Sequence, residues 1–174
     1  DAAYQRWRAR KLDQRARSAD DLRVELRDPR SLTAAEQAAL RQHIARHNVA
    51  LYSSPLRDDD PAIPRALGEQ LGLVRLDANW LAGEDGLSRI EAGTRDDATA
   101  RADFIPYTDQ AIGWHTDGYY HPPARRIHGM LLHCVRPAQR GGENTLLDHE
   151  LAYIALRDAS PNAVRALMQP DAMT

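Results

Sequence analysis

The sequence predicts an α+β fold with a mainly antiparallel sheet, and three features carry that expectation. Apolar residues recur at helical spacing toward both ends of the chain, short alternating apolar runs occupy the middle, and two of these runs flank a Gly-Gly turn between residues 126 and 148. A chain of 174 residues can bury one sizeable core, so a single domain, or most of one, is expected.

Taken in order, residues 4–17 are rich in Arg, with Tyr4, Trp7 and Leu12 interleaved. They suit either a basic arm for nucleic acid or a solvated helix packing its few apolar residues on the body. No wider basic surface accompanies them, which favours the helix. "LRVEL" (22–26) alternates as a short strand does. Thr33-Ala34-Ala35-Glu36 is a capping box that opens a helix through about His47, with Leu40 and Ile44 on one face. His43 and His47 stand four apart and can chelate a metal, but no zincin-type Glu or third ligand accompanies them. They read instead as exposed polar positions near a helix C-terminus, where protonated His suits the dipole.

"NVALY" (48–52) reads as a buried strand and "SSPLRDDDP" as loop, after which Pro61 starts a second helix ending near Gly72. Residues 77–110 read as long connecting loops that cover a site, with "LSRIEA" (87–92) as the strand within them. They hold Asn79, Trp80 and Arg89, to which no physical argument assigns a substrate. "RIHGMLLHCV" (126–135), the turn "RPAQRGGE" and "NTLLD" (144–148) form an antiparallel hairpin signal. "HELAYIALRDA" (149–159) is helical by its Leu151, Ile154 and Ala155 spacing. Ser160-Pro161 caps and starts one more helix, which stops before Pro170.

Composition excludes more than it names. The 23 Lys plus Arg nearly balance 25 Asp plus Glu, and the net charge of -2 gives no bulk attraction to nucleic acid or anionic membrane. The single cysteine, Cys134, excludes a disulfide framework and a Cys-rich zinc site, suits a reducing cytosol, and reads as a small buried hydrophobe. No apolar run approaches the roughly 18 residues that span a bilayer, and the N-terminus has no signal-peptide h-region. A soluble, cytoplasmic protein is expected. The chain begins at Asp1 without Met and ends at "PDAMT", so it is expected to be part of a longer product.

"GWHTDGYY" (113–120) carries the chemistry. In an extended segment His115 and Asp117 face the same way and Thr116 the other, which makes a chelating pair of one imidazole nitrogen and one carboxylate oxygen. With a further His, such a pair forms the facial triad of non-haem Fe(II) oxygenases, which leaves positions open for a cosubstrate and dioxygen. Taken alone, H-x-D also suits a plain His–Asp hydrogen bond at a strand end.

With its linked motifs "WHTDGYY", "LLHCVRP" and "GGENTLLD", the sequence from about Tyr107 onward resembles the taurine dioxygenase-like family of Fe(II)/2-oxoglutarate oxygenases, which includes the γ-butyrobetaine hydroxylase-like enzymes. A looser likeness extends upstream through "NVALY" and "LDANW". The resemblance implies a double-stranded β-helix, or jelly roll, holding the metal on its inner face with helices outside. It implies Fe(II) and 2-oxoglutarate as cofactors and hydroxylation of a small-molecule substrate. It places His115 and Asp117 as the first two iron ligands, Asn144 or Thr145 at the 2-oxoglutarate, and Tyr119 and Tyr120 beside the substrate, core packing being an equal account of one tyrosine.

The family's third ligand, a distal His, and the Arg that pairs with 2-oxoglutarate have no counterpart in residues 1–174. His149 follows the hairpin too closely, Glu150 beside it is the other downstream candidate, and His121, His128 and His133 read as structural or pocket-lining. The whole chain then reads as the N-terminal portion of one oxygenase domain: a basic helical arm (1–17), strands, helices and loops (18–110), metal-site strands (111–148) and terminal helices (149–174). The missing ligand comes from a C-terminal continuation or from a second chain carrying that half, or else catalysis has been lost. The competing class is a non-catalytic jelly-roll protein that binds a small molecule or partner. A homo-oligomer is compatible with either.

Overall fold

In the computed structural model, residues 1–56, 58–77, 82–91 and 104–172 are described. Helix α1 (Ala2–Asp13) starts at Asp1, whose carboxylate accepts from the Ala3 N–H at 2.9 Å. Strand β1 (Arg23–Glu25) leads into helix α2 (Ala34–His47), then strand β2 (Leu51–Ser53). Helix α3 spans Ala62–Leu71, α4 His149–Ala159 and α5 Pro161–Leu167.

The capping box forms as the sequence requires. The Glu36 N–H donates to Thr33 Oγ1 at 3.2 Å, and the Thr33 N–H donates to Glu36 Oε2 at 2.6 Å. Glu36 Oε1 also accepts from the Arg27 N–H at 2.8 Å, so one side chain fixes both the exit of β1 and the entry of α2. At the far end Asn48 turns left-handed (φ 60°) and its N–H donates to the Ile44 carbonyl at 2.9 Å. Gly72 ends α3 in the same way, and Ser160 Oγ caps α5 with Pro161 in its first position.

The sheet differs from expectation. Among the described residues the only ladder is β1 with β2, and it is parallel, with Val24 opposite Tyr52. The helix between the two strands accounts for this, because a helical crossover returns the chain in the same direction, whereas a tight turn reverses it. The expected hairpin does not form: residues 126–135 and 144–148 lie outside any ladder, and so do residues 87–91 of "LSRIEA". Ala92 lies outside the described residues, as do Asn79 and Trp80. A run with strand propensity becomes a strand only where a neighbouring strand pairs with it, and these runs form no ladder among the described residues.

The chain divides into two units, Asp1–Asp58 with Cys134–Thr174, and Asp59–His133. In the first, α2 lies against β1, α1 against α4, and α4 against α5, around buried Tyr4, Val24, Leu26, Leu40, Ile154 and Val164. Leu40 is buried as expected, but Ile44, one turn on, stays exposed. In the second, Ile63 and Leu67 of α3 and Tyr107 are buried. Cys134 corrects another expectation: it is exposed, because its apolar run is not covered. No helix among the described residues is long and apolar enough to cross a membrane.

The N-terminal arm is a docked helix. Tyr4 OH donates to Asp158 Oδ1 at 3.0 Å, Arg8 pairs with Asp158 at 2.6 Å, and the Arg157 guanidinium lies 3.8 Å from the centre of the Tyr4 ring. Lys11 is buried. Its ammonium pairs with Asp148 at 2.7 Å and with Glu150, and donates to the Arg46 carbonyl at the end of α2.

Candidate functional site

His115 and Asp117 are brought together. His115 Nε2 lies 3.5 Å from Asp117 Oδ1, with the side chains 41% and 43% exposed, so both donors are open to an incoming ion. The other imidazole nitrogen is already engaged: His115 Nδ1 is 2.8 Å from the Gly113 carbonyl oxygen. A carbonyl only accepts, so Nδ1 carries the proton of that contact and Nε2 is the nitrogen nearest the carboxylate. An outer hydrogen bond of this kind fixes the tautomer and ring direction of metal-bound histidines.

This donor pair fits one edge of a first-row metal site. Two ligands about 2.1 Å from an ion and at roughly a right angle stand about 3 Å apart. The observed separation is a few tenths of an ångström wider, within reach of a small side-chain rotation. The pair supplies two donors. Among the described residues no group of three His, Cys, Asp or Glu is placed to hold an ion.

The chain can turn after Asp117 because residue 118 is glycine. Gly118 has φ 67°, and a Cβ there would meet Ile127 Cδ1 at 2.7 Å and His121 Nδ1 at 3.0 Å. Beyond it Tyr119 and Tyr120 are both exposed, with ring centres 5.3 Å apart and edge to face, and Tyr120 meets the His121 ring in the same way at 4.8 Å. Neither tyrosine is buried in a core. Trp114, before His115, is exposed as well.

Asn144 and Thr145 belong to the first unit and are exposed; Asn144 Nδ2 donates to the Gly142 carbonyl at 3.4 Å. Gly141 and Gly142 both have positive φ, 75° and 80°, a backbone conformation that glycine adopts without strain. His149 is the exposed first residue of α4, and Glu150 is committed to Lys11. Burial holds His133 below its ordinary pKa. His43 and His47 pack ring against ring at 6.0 Å, half-buried rather than exposed. Burial, then the neighbouring His43, pulls the His47 pKa down, so the imidazolium expected at the end of α2 is disfavoured.

Two residues escaped the sequence reading. Asp77, which lies in "LDANW", meets Arg125 and His121 of the loop after Asp117, a pairing that its local sequence does not announce. Lys11 does carry a mark, as the only lysine among 23 basic residues, but only the fold shows what it meets.

Comparison with known proteins adds the family. The sequence model described as "Taurine catabolism dioxygenase TauD, TfdA family" matches residues 8–174. A uridine-5'-phosphate dioxygenase from Streptomyces sp is 40% identical over 63 residues, 36% of this chain and 23% of that protein. A uridine-5'-phosphate dioxygenase from Amycolatopsis sp is 37% identical over 60 residues, 34% of this chain and 22% of that protein. The matched stretch thus spans less than a quarter of either curated relative. No solved structure matches the chain.

Proposed function

The chain belongs to the TauD, TfdA family of dioxygenases, and from that premise we propose that it supplies half of a non-haem Fe(II)- and 2-oxoglutarate-dependent hydroxylation site. The observation that carries this is the His115–Asp117 pair, with Nε2 3.5 Å from Oδ1 and Nδ1 already committed to Gly113. His115 and Asp117 hold the ion, the hydroxyl of Thr145 or the amide of Asn144 donates to the 2-oxoglutarate, and Tyr119 and Tyr120 line the substrate side. When bound, iron and 2-oxoglutarate supply the oxidising power: dioxygen is consumed in decarboxylating the oxo acid to succinate and in hydroxylating the substrate. These residues supply ligand direction, and the segment that completes the domain closes the site to water.

The third ligand and the arginine for 2-oxoglutarate come from outside residues 1–174, from further sequence of the same product or from a second chain. That segment also completes the jelly roll that the family implies; among the described residues the parallel pair β1–β2 is the ladder formed. The shared name of the two relatives puts uridine-5'-phosphate first in a substrate screen. A cytoplasmic enzyme working as one such domain fits the absence of a disulfide framework.

The test uses the full-length protein under anaerobic conditions. Adding Fe(II) and 2-oxoglutarate should produce the weak visible charge-transfer band of the chelate, and admitting dioxygen should then release succinate; Asp117→Ala should abolish both the band and the succinate release. Succinate release persisting in Asp117→Ala would remove Asp117 from the ligand set. A second reading, a non-catalytic small-molecule or partner-binding jelly roll, is favoured by one observation: no third donor joins the pair among the described residues. Full-length protein that shows no band, but binds uridine-5'-phosphate without iron, would establish it.

A further inference from the structure

We propose that Asp77 is a positioning residue for the candidate metal pair, pinning the loop that leaves Asp117 (residues 118–126) through Arg125 and His121. The inference rests on the metal-site reading above. Arg125 Nη2 donates to Asp77 Oδ1 at 2.7 Å, and His121 Nε2 lies 3.9 Å from Asp77 Oδ2. One carboxylate, 48 residues upstream of Arg125, therefore faces two points of the loop. The arginine contact is the anchor, since it is a charge-assisted hydrogen bond; 3.9 Å is too long for one.

The loop is built to transmit that anchorage. It closes on itself through three backbone bonds: the His121 N–H to the Gly118 carbonyl at 2.9 Å, Arg125 to Pro122 at 2.8 Å, and Arg126 to Pro123 at 3.3 Å. His121 Nδ1 adds a contact to the Arg125 carbonyl at 3.2 Å. Pro122 and Pro123 fix their own φ, and Gly118 leaves no room for a Cβ. A segment this restrained moves as one piece, so the point that holds it sets where its ends sit. One end is Asp117. The side-chain exposure of His121 is 10%, whereas Tyr119 and Tyr120 beside it are 70% and 74% exposed. The loop thus turns its histidine inward toward Asp77 and leaves both tyrosines exposed.

The experiment uses full-length protein with Asp77→Ala, Asp77→Glu, Arg125→Met and the Ala/Met double variant. Hydrogen exchange is first followed without metal. Removing a partly exposed ion pair should speed exchange at residues 118–126 about fivefold in either single variant, with little further change in the double variant because both remove one contact. Exchange in α2 should stay at the wild-type rate. Co(II) alone is then titrated and its visible ligand-field spectrum recorded. Asp77→Ala should weaken Co(II) binding about fivefold, which a merely structural contact would not do, and Asp77→Glu should recover part of the loss.

Unchanged loop exchange would overturn the proposal, as would faster exchange spread equally over α2, additive effects in the double variant, or faster loop exchange with unaltered Co(II) affinity. Wild-type protein that binds no Co(II) would defeat the metal-site reading itself and take the positioning role with it. Failure of the pin alone would leave wild-type Co(II) binding intact.

Discussion

Lys11 shows how one residue can join three helices. Its ammonium reaches Asp148 and Glu150 at the start of α4 and the Arg46 carbonyl in the last turn of α2, while Asn48 Nδ2 bridges the same two carboxylates at 2.8 and 3.1 Å. Removing one partner of a buried pair leaves the other charge uncompensated, and this costs more than the pair contributes. Lys11→Met should therefore lower stability by about 3 kcal/mol, measured by thermal or denaturant unfolding. The network also sets a pH window. Burial pushes the Asp148 carboxyl up, but hydrogen bonds from Lys11, Asn48 and the Glu150 N–H outweigh it and hold the pKa below the ordinary value. Its contribution is present above the unfolded carboxylate pKa of about 3.9 and is lost as the pH falls through the lower folded value. Burial pulls Lys11 down, yet Asp148 and Glu150 raise it above its ordinary value. Its contribution is complete below about pH 10.4 and is lost as the pH rises through the higher folded value. The deficit of Lys11→Met should thus be largest between these limits and should shrink on acidification below about pH 4; a deficit independent of pH would show that the ammonium contributes only by packing.

At the scale of elements, the helix borders follow local chemistry and their substitution costs follow from it. Thr33→Ala should cost about 1 kcal/mol, the usual loss for an N-cap hydroxyl. Two glycines make a sharper comparison, since both have positive φ. A Cβ at Gly72 would meet nothing within 4 Å, whereas one at Gly118 would collide with Ile127 and His121. Gly72→Ala should cost only the backbone strain, about 1 kcal/mol, and Gly118→Ala should cost about twice that or more because the clash adds to it. Unfolding of the two variants side by side checks the order. Equal losses would mean that Ile127 yields without cost and that the turn after Asp117 is not tightly packed. The strands are less governed by their own sequences. "LRVEL" and "NVALY" pair because α2 carries the chain back beside β1, whereas "RIHGMLLHCV", also strand-like in sequence, forms no ladder among the described residues.

For the whole molecule, the consequence is apolar surface left uncovered. Trp114, Leu132, Val135, Leu146 and Leu147 are all exposed, and they fall in the segments that carry the family motifs. If further sequence or a second chain completes the domain, residues 1–174 alone should bind a hydrophobic dye strongly, and the full-length protein should bind several-fold less. Equal dye binding by the two would count against completion. The sequence by itself determined the helices, their caps, the left-handed turns and the His115–Asp117 pair, because capping, glycine geometry and an i, i+2 contact are settled by residues within a few positions of one another. The family was legible too, from motifs in a fixed order. Tertiary structure alone decided that the ladder is parallel, that Cys134 and Ile44 are exposed, that Lys11 is buried, and that Asp77 meets Arg125. Each of these depends on which distant segment arrives as a neighbour, and burial, strand pairing and charge pairing are properties of neighbours rather than of the residue itself.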